Sequence, residues 1–278
     1  MSNHLSSYFC CNPDLVDTSL YLPSFIKFSA LTSLLCKILL KSLNHILDAS
    51  TPYSLFKSYV ESYSSFIGIV KFGWGSSLVD PEFDLKKDLL DSLNIPCIPG
   101  GTLFEYFYHR NDIDTYINFV RQNRFQWIEL SRGTVSIPDN VYHDLVNRLS
   151  HEFNVMSEIG FKSADRSDLM TDSDWLVACQ QSLAAGAKLL VLEARESGSA
   201  GVVDKNGDIK SSMLNHLASV ISIESILFEA PVKQLQVHFI KEFGSFVNLG
   251  NISLQNILPV IALRQNLRSE TLILSSST

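Results

Sequence analysis

Charge is scarce in this sequence, and several familiar signatures are missing. Only 18% of its 278 residues are Asp, Glu, Lys or Arg, and 22 basic residues face 29 acidic ones. The resulting formal charge of −7 leaves no basic surplus to track a phosphate backbone, so no nucleic-acid partner is expected. A small anionic substrate stays open, because a site needs only a local cluster of cations. The five cysteines, Cys10, Cys11, Cys36, Cys97 and Cys179, form no CxxC pair and no Cys/His zinc spacing. A reduced, cytoplasmic setting is the simplest reading, with Cys97 and Cys179 packed as small hydrophobes. No Lys or Arg occurs in the first nine residues, so a signal peptide is not expected. The apolar stretch 20–40 is broken by Pro23, Lys27 and Lys37, unlike a spanning helix. No membrane association is expected, and residues 1–42 read as an atypical segment that packs on the domain or pairs with another chain.

What is present is a large apolar fraction, 46%, which suits an extensive core. Short apolar runs recur at 44–48, 66–72, 95–98, 126–130, 154–158, 188–193, 225–229 and 245–249. Their apolarity is continuous, as in strands of a parallel sheet covered on both faces. Between them lie segments with helical spacing, at 81–93, 138–149, 172–185 and 231–243. Strand and helix alternating in this way predict parallel βαβ units. An open doubly wound sheet usually carries a glycine-rich phosphate fingerprint after its first strand, and none follows Asp48. The expectation is therefore an α/β fold, a single (β/α)8 TIM barrel over 43–278, whose usual size of about 250 residues fits.

The ends of these runs are polar. Asp48, Lys71, Glu129, Glu158, Glu193, Glu229, Asn248 and the Gly100-Gly101 pair all fall there. Catalytic groups of such barrels gather at the C-terminal ends of the strands, so a shared site is expected in place of scattered solvated carboxylates. KFGWGSS (71–77) puts a lysine directly after a strand, followed by a tight glycine-flanked turn. Trp74 in that turn could equally be a packed residue. EARESG (193–198) sets Glu193, a hard oxygen ligand, beside Arg195, a planar fork for carboxylate or phosphate, with Glu196 opposite. A structural salt bridge would explain the same residues. PGGTLFE (99–105) offers paired backbone N–H groups to an anion, and FEAPVK (228–233) and VNLGNI (247–252) occupy the places of the recurrent barrel phosphate site.

These motifs, together with IELSRG (128–133), SEIGFK (157–162) and LRQNLRSET (263–271), in this order, resemble the phosphosulfolactate synthase family from about residue 43 to 272. The resemblance implies a lyase that adds sulfite to C3 of phosphoenolpyruvate with Mg2+. A metal-stabilised enediolate leads to 3-sulfo-2-phospholactate, which is used for coenzyme M biosynthesis or for sulfolactate. It implies Glu129, Glu158 and Glu193 as candidate metal ligands, with the pair that binds left open, and Lys162 as the donor of the proton to C2. Lys71, Arg195 and Lys233 would steady the phosphate, the carboxylate and the sulfite. Gly100, Gly101, Asn248, Asn251 and Arg268 complete the substrate-binding set.

The chain also departs from the family. Ala49 stands where archaeal members carry the lysine of a DKG turn, and Phe161 stands where they carry a lysine, with Lys162 one place later, as in some bacterial relatives. Arg132 replaces an acidic or amide residue, and the lead-in before Leu43 differs. Two rivals remain at this level. One is a metal-assisted reaction of a phosphorylated enol acid with another nucleophile. The other is a non-catalytic barrel with a binding or stress-protective role, against which the retained GWG and EARESG stretches argue. The partners expected are small molecules, with a homo-oligomer left open.

Overall fold

The computed structural model describes residues 42–195 and 197–272. The expected packing of the N-terminal segment, three of the cysteines (Cys10, Cys11 and Cys36) and the placement of Glu196 lie outside those residues. Eight strands run parallel: β1 Asn44–Asp48, β2 Ile69–Phe72, β3 Cys97–Pro99, β4 Trp127–Leu130, β5 Asn154–Ile159, β6 Leu189–Leu192, β7 Ile226–Glu229 and β8 Asn248–Ser253. Their order, β3-β2-β1-β8-β7-β6-β5-β4, wraps the first strand against the last, and β3 then lies beside β4. With helices between the strands this is the expected (β/α)8 barrel.

The β3–β4 seam has no paired ladder among the described residues, and the sequence explains why. Val70 N–H donates to Pro96 O and Gly100 N–H to Phe72 O, so residues 96, 98 and 100 turn their backbone groups toward β2. Residues 97 and 99 must then serve β4. Pro99 has no N–H to give.

Continuous apolar runs split into two cores because successive side chains point to opposite faces. Ile46, Val70, Phe72, Ile128, Leu130, Val155, Leu190, Leu192 and Phe228 face outward and pack under the helices. Leu43, Ile69, Ile98, Trp127, Met156, Leu189, Val191 and Leu227 fill the interior. The helices form where sequence signals start them. Pro138, its φ preset, stands at the N-cap position of the helix Asp139–Ser150, and Thr171 with Asp174 makes a capping box at Asp172–Ala184. Cys97 and Cys179 are buried free thiols, and burial pushes both up to about 12, which fits packing.

The last strand is where the sequence-based boundaries fail most. It was expected at 245–249 but runs from Asn248 to Ser253. Asn44 pairs with Leu249 and Ile46 with Ile252, so β8 spends one extra residue there, a bulge at which Asn251 takes φ +54°. The ladder continues through Gly250 and Asn251 instead of ending before them. Asn248 therefore opens the strand at the N-terminal end of the barrel, opposite the mouth. Its Oδ1 accepts from Leu43 N–H at 2.8 Å and its Nδ2 donates to Glu224 O and Ile226 O. Buried Arg264 works beside it, donating to Asn44 Oδ1, Ser245 O and Val247 O. Both close the barrel's base, which removes Asn248 from the expected substrate-binding set.

Candidate active site

Two residues above the apolar floor, the same inward positions become ionisable. Ile69 gives way to Lys71, Trp127 to Glu129, Met156 to Glu158, Val191 to Glu193 and Leu227 to Glu229, each step of two keeping the side chain inside. All five charged residues are buried. Asp48 breaks the pattern because it shares its parity with outward-facing Ile46. Its carboxylate bonds Lys86 Nζ at 2.8 Å behind the barrel wall, and Lys86 also holds Asp80.

Lys71 lies at the centre. Its Nζ is 3.0 Å from both oxygens of Glu129 and 3.4 Å from Glu229 Oε1. Burial disfavours its charge, but Glu129 and Glu229 outweigh this and raise its pKa. Burial pushes Glu129 up as well, yet Lys71 holds it below the usual carboxylate range. Gly101 N–H donates to Glu129 Oε1 at 2.8 Å, so this amide, expected to meet a ligand anion, meets a protein carboxylate. A Cβ on Gly101 would stand 2.6 Å from Ser131 Cβ and 3.0 Å from Glu129 Oε1, so glycine is required. Gly100 lies against the Phe72–Trp74 backbone. Trp74 itself is 46% exposed, not packed under its turn.

A second group forms across β4, β5 and β6. Ser131 Oγ is 2.5 Å from Glu105 Oε1 and 2.6 Å from Glu158 Oε1. One hydroxyl hydrogen serves one contact only, so a carboxyl proton must supply the other. Glu158 is suited to carry it, because burial, with Glu129 and Glu229 adding, raises its pKa against the pull of Lys162. Glu193 is raised further, by burial first and then by Glu229 and Glu158. Its Oε1 accepts from Arg195 N–H at 2.6 Å, while Oε2 is buried with no donor. Lys162 Nζ stands 3.8 Å from Glu158, 3.6 Å from Glu105 and 3.1 Å from Thr102 Oγ1. Its side chain is 26% exposed, so it faces both the cluster and the opening. Arg195, exposed and at φ +57°, reaches over to donate to Lys162 O.

The structure thus brings Lys71, Glu129, Glu158, Glu193, Lys162 and Gly101 together, with Arg195 above them. The three candidate metal ligands are not equally free. Glu129 is committed to Lys71, and among the described residues no three His, Cys, Asp or Glu side chains are arranged to hold a metal ion. The orphaned Glu193 Oε2 beside Glu158 is what a hard cation would fit, since Mg2+ needs only one or two protein carboxylates. Asn251 is buried, gives its N–H to His45 Nδ1, and leaves Oδ1 without a partner. Lys233 and Arg268 both pair with half-buried Glu270, at 2.7 and 3.5 Å.

Four further residues belong to the site. Glu229 anchors Lys71 and accepts from Ala194 N–H. Its strand-end position marked it, but no role followed from the sequence. Ser131 repeats the inward parity of Trp127 and Glu129, which could have found it. His45 is held neutral, its pKa lowered to about 3 by burial and then by Lys71. Glu105 comes from a helix and carries no periodic signal.

A (β/α)8 barrel whose ionisable side chains converge at the C-terminal mouth belongs to the class that performs chemistry there. The sequence comparisons narrow this class. The family model described as (2R)-phospho-3-sulfolactate synthase (ComA) matches residues 40–270. A phosphosulfolactate synthase of Methanocaldococcus jannaschii is 35% identical over 236 residues, 83% of this chain and 94% of that protein. The phosphosulfolactate synthase of Bacillus subtilis is 33% identical over 230 residues, 82% and 91% of the two chains. That of Methanothermobacter thermautotrophicus is 34% identical over 231 residues, 82% and 90%. The chain belongs to the phosphosulfolactate synthase family.

Proposed function

We propose that this chain joins sulfite to C3 of phosphoenolpyruvate, forming a carbon–sulfur bond and phosphosulfolactate. The observation that carries the reading is a family match over residues 40–270 that coincides with an intact Lys162–Glu158–Glu193 group at the mouth. In this reaction the sulfur lone pair attacks C3, the C2–C3 π pair moves toward the carboxylate, and C2 then takes a proton. Nothing leaves.

Lys162 is the donor of that proton. It is the ammonium that combines partial exposure with contacts to the buried carboxyl groups, and its acidic surroundings outweigh the cost of burial and raise its pKa. Arg195 fixes the backbone of Lys162 and offers the rest of its guanidinium to an anion. Lys71 already faces two carboxylates, so its part is to keep Glu129 ionised and to hold Glu229 in place. A Mg2+ ion held by Glu193 with Glu158 would supply Lewis-acid stabilisation of the charge that develops on the substrate carboxylate.

The test is direct: incubate the protein with phosphoenolpyruvate, sulfite and Mg2+, and look for a phosphorylated sulfonate by mass spectrometry. Product in all three conditions' presence and none without sulfite is expected. Consumption of phosphoenolpyruvate with another nucleophile, or no turnover at all, would overturn the reading.

A further inference from the structure

The surroundings of Glu105 are unusual for a helical residue. Helix Gly101–His109 begins as β3 ends, and one turn of helix returns Glu105 to the face that Gly101 turns toward β4. There the residue is 2% exposed. Its Oε2 accepts from Thr134 N–H at 2.9 Å and Val135 N–H at 2.6 Å, while Oε1 accepts from Ser131 Oγ. Lys162 Nζ is 3.6 Å from the same Oε1. One carboxylate therefore ties together the loops that follow β4 and β5.

A neutral amide could anchor the β4 loop. Burying a full negative charge for that purpose alone would be wasteful, because desolvation of a carboxylate is costly unless a cation answers it. The cation here is Lys162. Gly133 makes the approach possible, since a Cβ at that position would stand 2.9 Å from Lys162 Cγ, and Lys162 N–H donates to Gly133 O. We infer that Glu105 is a positioning residue for Lys162, fixing the β4 loop and the ammonium in one arrangement over the mouth.

The inference rests on the proposed reaction for its kinetic consequence but not for its structural one. Kinetics of wild type, Glu105→Gln, Lys162→Ala and the double variant form one arm. Glu105→Gln is expected to lower kcat about 10–100-fold, the scale of a misplaced group, with KM within about threefold. In the Lys162→Ala background the same change should cost less than about twofold, since it would act through a side chain already gone. Hydrogen exchange of the peptide spanning 161–163 forms the other arm, and its rate is expected to rise in Glu105→Gln. Independent, multiplying losses in kcat would overturn the inference, as would unchanged exchange at 161–163. A wild-type protein without turnover would sink the reaction alone, and the exchange result would still decide the role of Glu105.

Discussion

The floor and the mouth of this barrel are built from the same strands, two residues apart, and obey opposite rules. At the floor, Ile69, Trp127, Met156, Val191 and Leu227 fill space and need only shape. At the mouth, Lys71, Glu129, Glu158, Glu193 and Glu229 crowd four carboxyl groups into one buried layer, two of them paired with Lys71. Such a layer is a poor way to stabilise a fold, because desolvation competes with each ion pair. Its presence argues that the upper half is arranged for a ligand and the lower half for the chain itself.

Substitutions in the two layers can sharpen this contrast. The largest effect is expected at the floor. Trp127→Ala would cost about 3–5 kcal/mol of unfolding free energy by leaving a cavity, measurable as a fall in the denaturant midpoint. A loss under about 1 kcal/mol would mean the floor is not the stabilising layer.

At the mouth, Lys71→Met would cost up to about 3–5 kcal/mol near neutral pH by leaving Glu129 and Glu229 without their cation. The deficit should shrink on acidification. Glu129 has a folded pKa below its unfolded one, so its contribution in the wild type is present above the unfolded value and lost as pH falls through the folded one. The variant's carboxylates would meanwhile take up protons and shed their repulsion. Urea melts from pH 7 to about pH 3 check this, and a deficit constant with pH would contradict it.

The smallest effect is expected for Met156→Leu at the floor. A volume-conserving exchange should cost less than about 1.5 kcal/mol and leave turnover unchanged. A large drop in rate would show that the two layers are coupled.

Much of this was legible in the sequence, and the failures have physical causes. Continuous apolar runs located all eight strands, because both faces of a parallel barrel strand are covered. Parity in steps of two, applied from Trp127 to Glu129 to Ser131, would have separated inward from outward residues and turned Asp48 away from the mouth. The bulge in β8 was not legible, since Gly250 and Asn251 read as a loop, and this misplaced Asn248. Pairings were hidden too. That Glu129 answers Lys71 across 58 positions, or that Glu105 arrives from a helix, depends on closure of the barrel and not on local pattern.

The most direct test of the contrast is one variant measured twice, Glu193→Gln. Burial and its carboxylate neighbours raise the Glu193 pKa, so its ionised form costs stability above the unfolded carboxylate value. The amide should therefore melt higher than wild type at pH 7, by about 2–4 °C for each roughly 1 kcal/mol relieved, with the gain vanishing by about pH 4. It should also lose metal-dependent turnover. A variant that melts lower at pH 7 and keeps its activity would contradict the claim that the mouth trades stability for a ligand site.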